Sequence, residues 1–127
     1  MKLRIRDNSI RLRLTRGEVD SLRDDGLVKA RTEFPAGREF GYELESSPAS
    51  VQPDALFSDR VITVRVPEAM ALEWASTEQV SMQGEQLLDD GGELTILVEK
   101  DFTCLAPREG EDESDMYPNP QADSGKG

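Results

Sequence analysis

Ile10-Arg-Leu-Arg-Leu14 and Ile62-Thr-Val-Arg-Val66, 52 residues apart, carry the reading on which the fold turns. In both, apolar residues alternate with polar ones, the period of two expected of a strand that buries one face. Each is followed at once by a helical pattern. After the first, Thr15 and Glu18 are spaced as a capping box, with Leu14 and Val19 at the staple positions. Gly26 stands where a left-handed cap would close a helix over 16–25. After the second, Pro67 stands at the first helical turn, where its missing N–H costs nothing. Met70, Ala71, Trp74 and Ala75 then form an apolar stripe, with Trp74 equivalent to Leu22.

Working outward, Leu3 and Ile5 alternate with Lys2, Arg4 and Arg6 before an Asp7-Asn8 turn, which predicts an extra N-terminal strand. Val28, Ala30, Thr32 and Phe34 alternate with charged residues, and Pro35-Ala-Gly37 turns the chain into Phe40, Tyr42 and Leu44, a hairpin. A polar loop over 46–53, a short strand around 55–57 and a turn at Ser58-Asp59-Arg60 lead into the second copy. There Val80 and Met82, the turn Asp89-Asp-Gly-Gly92, and Leu94, Ile96 and Val98 complete the pattern, the last three matching Phe40, Tyr42 and Leu44 at a spacing of 54. The expected fold is α+β: a duplicated strand-helix-strands unit, about 10–45 and 62–99, in one domain over 1–106. Its seven to nine strands are expected in a mainly antiparallel sheet forming a barrel or half-barrel, with two short helices.

The 127 residues suit one domain with a modest core. No apolar run approaches the roughly 20 residues a bilayer requires, and Met1-Lys-Leu-Arg-Ile-Arg6 alternates where a signal peptide would be continuously apolar. A single cysteine builds no internal disulfide, so the expected location is the cytoplasm, with Cys104 as a small buried hydrophobe. The net charge of −11 makes nucleic acid and membranes unexpected partners. The basic residues are nonetheless concentrated: Lys2, Arg4, Arg6, Arg11, Arg13 and Arg16 face only Asp7 within the first sixteen positions.

The chain has no histidine, which removes the usual general base and the commonest zinc ligand. Any metal would be a hard ion such as magnesium or manganese held by carboxylates. By parity, Arg11, Arg13, Lys29, Arg31, Glu43, Glu45, Arg65, Glu85 and Glu99 share the polar face of the strands. This face is either a solvated surface with cross-strand ion pairs or a barrel lumen that grips an anion. Beyond Pro107, Glu109, Glu111, Asp112, Glu113 and Asp115 form an acidic run, so 107–127 is expected to be disordered. Met116 and Tyr117 are its candidate anchors to the domain or a partner, with the carboxylates meeting a basic surface such as the N-terminal ridge.

A repeated strand-helix-strands unit with a charged face resembles the triphosphate tunnel (CYTH) phosphohydrolases, a likeness that implies metal-dependent hydrolysis of triphosphates. That family opens with Glu-x-Glu-x-Lys on its first strand, whereas this chain has Lys2-Leu-Arg-Ile-Arg6, and Glu43-Leu-Glu45-Ser-Ser47 lacks the lysine. No family residue carries over. The stretches NSIRLRLT, RVITVRVPEAMALEW, LVEKDFTCL and EDESDMYPNP resemble an uncharacterised group of short bacterial proteins. That likeness implies a bacterial source and no particular activity. The leading expectation is a non-enzymatic binding or interaction module, without cofactor, for a protein or a small anionic ligand. The alternative is a phosphohydrolase that uses magnesium or manganese on a phosphate or triphosphate compound in a charged lumen.

Overall fold

Alternation and capping produce the elements in the order the sequence suggests. The computed structural model describes residues 1–102. Strands β1 (Lys2–Arg6) and β2 (Ser9–Leu14) precede helix α1 (Arg16–Asp25), followed by β3 (Leu27–Phe34), a 3₁₀ turn (Pro35–Gly37) and β4 (Arg38–Ser47). Strands β5 (Asp54–Ser58) and β6 (Val61–Pro67) then precede helix α2 (Glu68–Ser76), β7 (Ser81–Leu87) and β8 (Glu93–Lys100).

Local chemistry explains the ends of α1. Thr15 Oγ1 accepts from Glu18 N–H at 3.3 Å, and Thr15 N–H donates to Glu18 Oε1 at 2.9 Å, which completes the capping box. Gly26 closes the helix at φ 77°, a left-handed conformation that costs glycine nothing, and its N–H donates to the Leu22 carbonyl. In α2 the proline sits one place earlier than its spacing predicts. Pro67 is the extended N-cap residue that ends β6, so its fixed φ serves the strand-to-helix junction.

The single, mainly antiparallel barrel is not formed. The eight strands divide into two mixed four-stranded sheets, ordered β1-β2-β8-β7 and β3-β4-β6-β5. Hairpins β1–β2, β3–β4, β5–β6 and β7–β8 are antiparallel, but β2 joins β8, and β4 joins β6, in parallel. Each helix carries the chain from one sheet to the other: β2 of the first sheet leads through α1 to β3 of the second, and β6 of the second leads through α2 to β7 of the first. A helix between two hairpins keeps them off a common edge, so each hairpin pairs with one from the other half.

The repeating unit is accordingly hairpin-helix-hairpin. Strand β1 is the counterpart of β5, each the outer strand of the hairpin that enters a helix, and not an extra strand outside the repeat. The register keeps the spacings of the sequence. Ile10 lies beside Ile96 and Ile62 beside Tyr42, and Leu12 lies beside Val98 and Val64 beside Leu44.

The apolar faces of both sheets and one side of each helix meet in one core. Leu12, Leu14, Leu22, Leu44, Val64, Val66, Trp74, Ile96 and Val98 are its largest fully buried side chains. Each contributes about 1.5–3 kcal/mol of transfer free energy, which makes this cluster the main stabilising term. Helix α1 packs on α2 and on β2, β3 and β4, while α2 packs on β4, β6 and β7. Among the described residues no helix is long and apolar enough to cross a membrane.

Three polar or tight contacts tie the sheets together: Tyr42 Oη–H donates to the Met1 carbonyl at 2.9 Å, Ala55 N–H donates to Gln86 Oε1 at 2.8 Å, and the Pro53 ring lies against Gly84. The Met1 ammonium is ion-paired with Glu18. Burial pushes the Glu18 carboxyl up, but hydrogen bonds from Met1 and Thr15 outweigh it and hold the group below the ordinary glutamate range. A depressed folded-state pKa gives stability that is present above the unfolded value of about 4.3 and lost as pH falls through the folded value. Urea midpoints of the wild type and Glu18→Gln should therefore differ at pH 7 and converge below about pH 4. A gap that stays constant down to pH 3 would show that the charge of Glu18 contributes nothing.

Candidate anion-binding face

The charged strand residues lie on the solvent faces of two separate sheets, because the apolar faces of both sheets point into the core. Arg11, Arg13, Glu85 and Glu99 belong to the first sheet, and Lys29, Arg31, Glu43, Glu45 and Arg65 to the second. No lumen brings the two sets together, and this removes the enclosed site that the metal-dependent alternative required. Among the described residues no group of three or more metal-ligating side chains converges. Cys104, Met116 and Tyr117 lie outside the described residues.

The two outer faces differ in how their charges are matched. On the second sheet, opposite signs meet across strands. Lys29 faces Glu43, Glu45 faces Arg65, and Arg65 also faces Asp54 with 3.7 Å between Nε and Oδ1. That last pair is an ion pair without a hydrogen bond, since both atoms lack a hydrogen-bonding partner. Glu33 faces Glu39, but Arg31 reaches both carboxylates, at 3.6 and 3.5 Å. Such a face is self-neutralised, as a solvated sheet surface should be.

The first sheet is polarised. Across β1 and β2, Lys2 stands opposite Arg13 and Arg4 opposite Arg11, with Arg6 opposite Ser9. Like charges directly opposite one another are destabilising by up to about 1 kcal/mol per pair. A single carboxylate, Glu99 on the neighbouring β8, lies between two guanidiniums, 3.3 Å from Arg13 Nε and 3.7 Å from Arg11 Nε. Lys2 Nζ is 3.4 Å from Asp101 Oδ2. Arg4 is exposed and has no carboxylate partner among the described residues. Arg11 and Arg13 are each about one-third exposed, so their guanidiniums border solvent while their stems cover the sheet. Toward β7 the sign reverses, with Glu85 and Glu93 on the same face.

Lys2, Arg4 and Arg6 belong with this face although the parity of the repeated strands omits them, and a sequence signal for them exists. The two-residue turn Asp7-Asn8, with Asp7 at φ 49°, sets Arg6 against Ser9 and so fixes the pairing of every cation along the hairpin. Counting outward from that turn places cation against cation.

Clefts and an aromatic cluster also mark the surface of the described residues. A cleft of about 780 Å³ lies where α1 begins and α2 ends, lined by Val19, Ala75, Lys100 and Phe102 among others. Another, of about 480 Å³, runs from the end of α1 to the outer face of the second sheet, where Asp24, Asp25, Glu43, Glu45 and Glu68 line it together with Arg23 and Lys29. Phe40 stacks at a tilt between Tyr42 and Phe57, with centroids 6.5 and 6.4 Å apart, and Phe57 is 68% exposed. None of these sites gathers a nucleophile, a base and an oxyanion donor.

Compared with known proteins, residues 1–121 match a family of unknown function, DUF7009. No curated protein and no solved structure matches the chain.

Proposed function

We propose that this chain, which belongs to the DUF7009 family, is a non-enzymatic binding module that holds an acidic segment of a partner protein along the outer face of β1 and β2. The observation that carries this reading is the like-charge register, Lys2 against Arg13 and Arg4 against Arg11. Cationic edge strands are a known guard against aggregation, and Lys2, Arg4 and Arg6 on the edge strand β1 would serve that purpose. Arg11 and Arg13, however, sit on β2, an inner strand, where they guard no edge. Among the described residues their ion-pair partner is Glu99, whereas an acidic occupant would convert two repulsive pairs into charge-assisted hydrogen bonds.

Geometry favours an extended segment. The cations on β1 recur every second residue, the spacing at which an extended peptide presents side chains to one face. The outer edge of β1 has no strand partner among the described residues, so a peptide can add main-chain hydrogen bonds there while its carboxylates meet the arginines.

A fluorescent peptide of alternating glutamate and serine should bind the protein at low ionic strength and dissociate as salt is raised. Arg4→Gln with Arg11→Gln should weaken binding by more than about tenfold. Lys29→Gln with Arg31→Gln, on the self-neutralised sheet, should leave it unchanged. Equal losses in the two double variants, or no binding by the wild type, would overturn the reading.

A further inference from the structure

We infer that a second copy of this chain adds to the free edge of β3, antiparallel and about a twofold axis, with Lys29 of each copy opposite Glu33 of the other. The pairing uses an edge of the second sheet and does not depend on what the basic strip of the first sheet binds.

Four strands end the two sheets: β1 and β7 the first, β3 and β5 the second. Strands β5 and β7 approach each other, and Ala55 N–H is already held there by the Gln86 side chain. Strand β1 repels its own copy, since Lys2, Arg4 and Arg6 give its outer face a single sign. Strand β3 has eight residues, and all but Val28 are exposed or half-buried.

The ladder with β4 decides which backbone groups of β3 face outward. Ser46 N–H donates to the Gly26 carbonyl at 2.9 Å, one step before Leu27 pairs with Glu45, and bonded and non-bonded pairs alternate in an antiparallel ladder. Val28, Ala30, Thr32 and Phe34 therefore bond to β4, while Leu27, Lys29, Arg31 and Glu33 turn their N–H and C=O groups to the open edge. A second strand meets these groups only by setting odd-numbered residues against odd-numbered ones.

Charge then selects one register. With Arg31 opposite Arg31 of the second copy, Lys29 meets Glu33 twice, once on each side of the axis. The central arginines are already neutralised, because each reaches Glu33 and Glu39 of its own chain at 3.6 and 3.5 Å. On the other face Ala30 meets Thr32, and Phe34, 53% exposed, meets Val28. Sliding by two residues in one direction sets Lys29 against Arg31 twice, and sliding in the other sets Lys29 against Pro35, which has no N–H to give. A row of charges guards an edge when its signs are alike, as on β1. Strand β3 instead carries both signs, in the order that its own antiparallel copy complements. A single strand pair is a small interface, of the class that forms reversible dimers.

Sedimentation of the full chain between about 10 µM and 1 mM should show the mean mass rising toward that of a dimer and returning to the monomer on dilution. Lys29→Glu and Glu33→Lys should each weaken self-association by more than about tenfold, because each sets like charges opposite one another at two places. The two variants mixed in equal amounts should pair with each other, since positions 29 and 33 then face each other with opposite signs. The wild type supplies a readout that needs no substitution. Amide exchange at Lys29, Arg31 and Glu33 should slow by about tenfold when nine-tenths of the chain is paired, with a smaller change at Ala30 and Thr32, whose amides already bond to β4. The inference is overturned by a chain that stays monomeric over the whole range, by a dimer that both charge reversals leave intact, or by reversals whose mixture stays monomeric. Exchange at Lys29, Arg31 and Glu33 that does not vary with concentration would overturn it as well. So would a dimer that persists on dilution, the mark of exchanged halves.

Discussion

Replacing Trp74 by Ala should cost about 3–5 kcal/mol, the range for removing a large aromatic side chain from a packed core. Trp74 is fully buried, and its Nε1–H donates to the Val80 carbonyl at 2.9 Å. The same carbonyl accepts from Lys100 N–H at 3.1 Å, and Lys100 Nζ lies 5.6 Å from the ring centroid. One side chain thus joins α2, the start of β7 and the end of β8. Domains of this size are stable by about 5–15 kcal/mol in total, so the loss would consume a large part of that margin. Urea unfolding followed by far-UV circular dichroism should show a midpoint lower by roughly 2 M or more, or no folded baseline at all. Trp74→Phe should keep most of the packing and lose about 1 kcal/mol for the unmade hydrogen bond. A Trp74→Ala loss under about 1 kcal/mol would mean that the helices do not close the core as described.

Alanine at position 84 should destabilise the protein by about 1–3 kcal/mol, although the same substitution in an open strand is stabilising by about 0.5–1 kcal/mol. A methyl group there would stand 2.9 Å from both Cβ and Cδ of Pro53 and 3.0 Å from its Cγ. The proline ring cannot rotate away, and Pro53 is itself buried where β5 and β7 meet. Gly41 provides the contrast, because its added methyl would meet the Val61 side chain at 3.4 Å, an ordinary contact. Gly41→Ala should therefore be neutral or stabilising. The opposite signs are the diagnostic result, read from paired thermal melts. If both substitutions stabilise, the sheets do not approach one another at Pro53.

Much of this fold was legible because alternation reports which face of a strand is buried. The apolar partners of Ile10 and Ile62, the Thr15 and Glu18 cap, the Gly26 stop and the burial of Trp74 and Leu22 at equivalent places all follow from spacing. Alternation is silent about which strand lies alongside and in which direction. Leu12 has the same pattern whether its neighbour is antiparallel in one sheet or, as found, Val98 in parallel from the other half of the chain. The barrel was inferred from strand count, and strand count does not distinguish one sheet from two. For the charged residues, parity along a strand does not say which sheet the strand joins: Arg11 and Arg65 look equivalent in sequence and yet lie on different sheets. The cationic register across β1 and β2 was the recoverable part, fixed by a two-residue turn.

Because β2 waits for β8, the opening hairpin has no inner neighbour until the last strand exists. During synthesis the first eighty residues can complete only the second sheet, and Ile10, Leu12 and Leu14 stay uncovered on one edge until residues 93–100 emerge. Contacts this distant in sequence slow the search for the native state. They also let two chains trade halves, since an incoming copy offers the same missing strand. Refolding at high concentration should accordingly yield exchanged dimers that dilute refolding avoids.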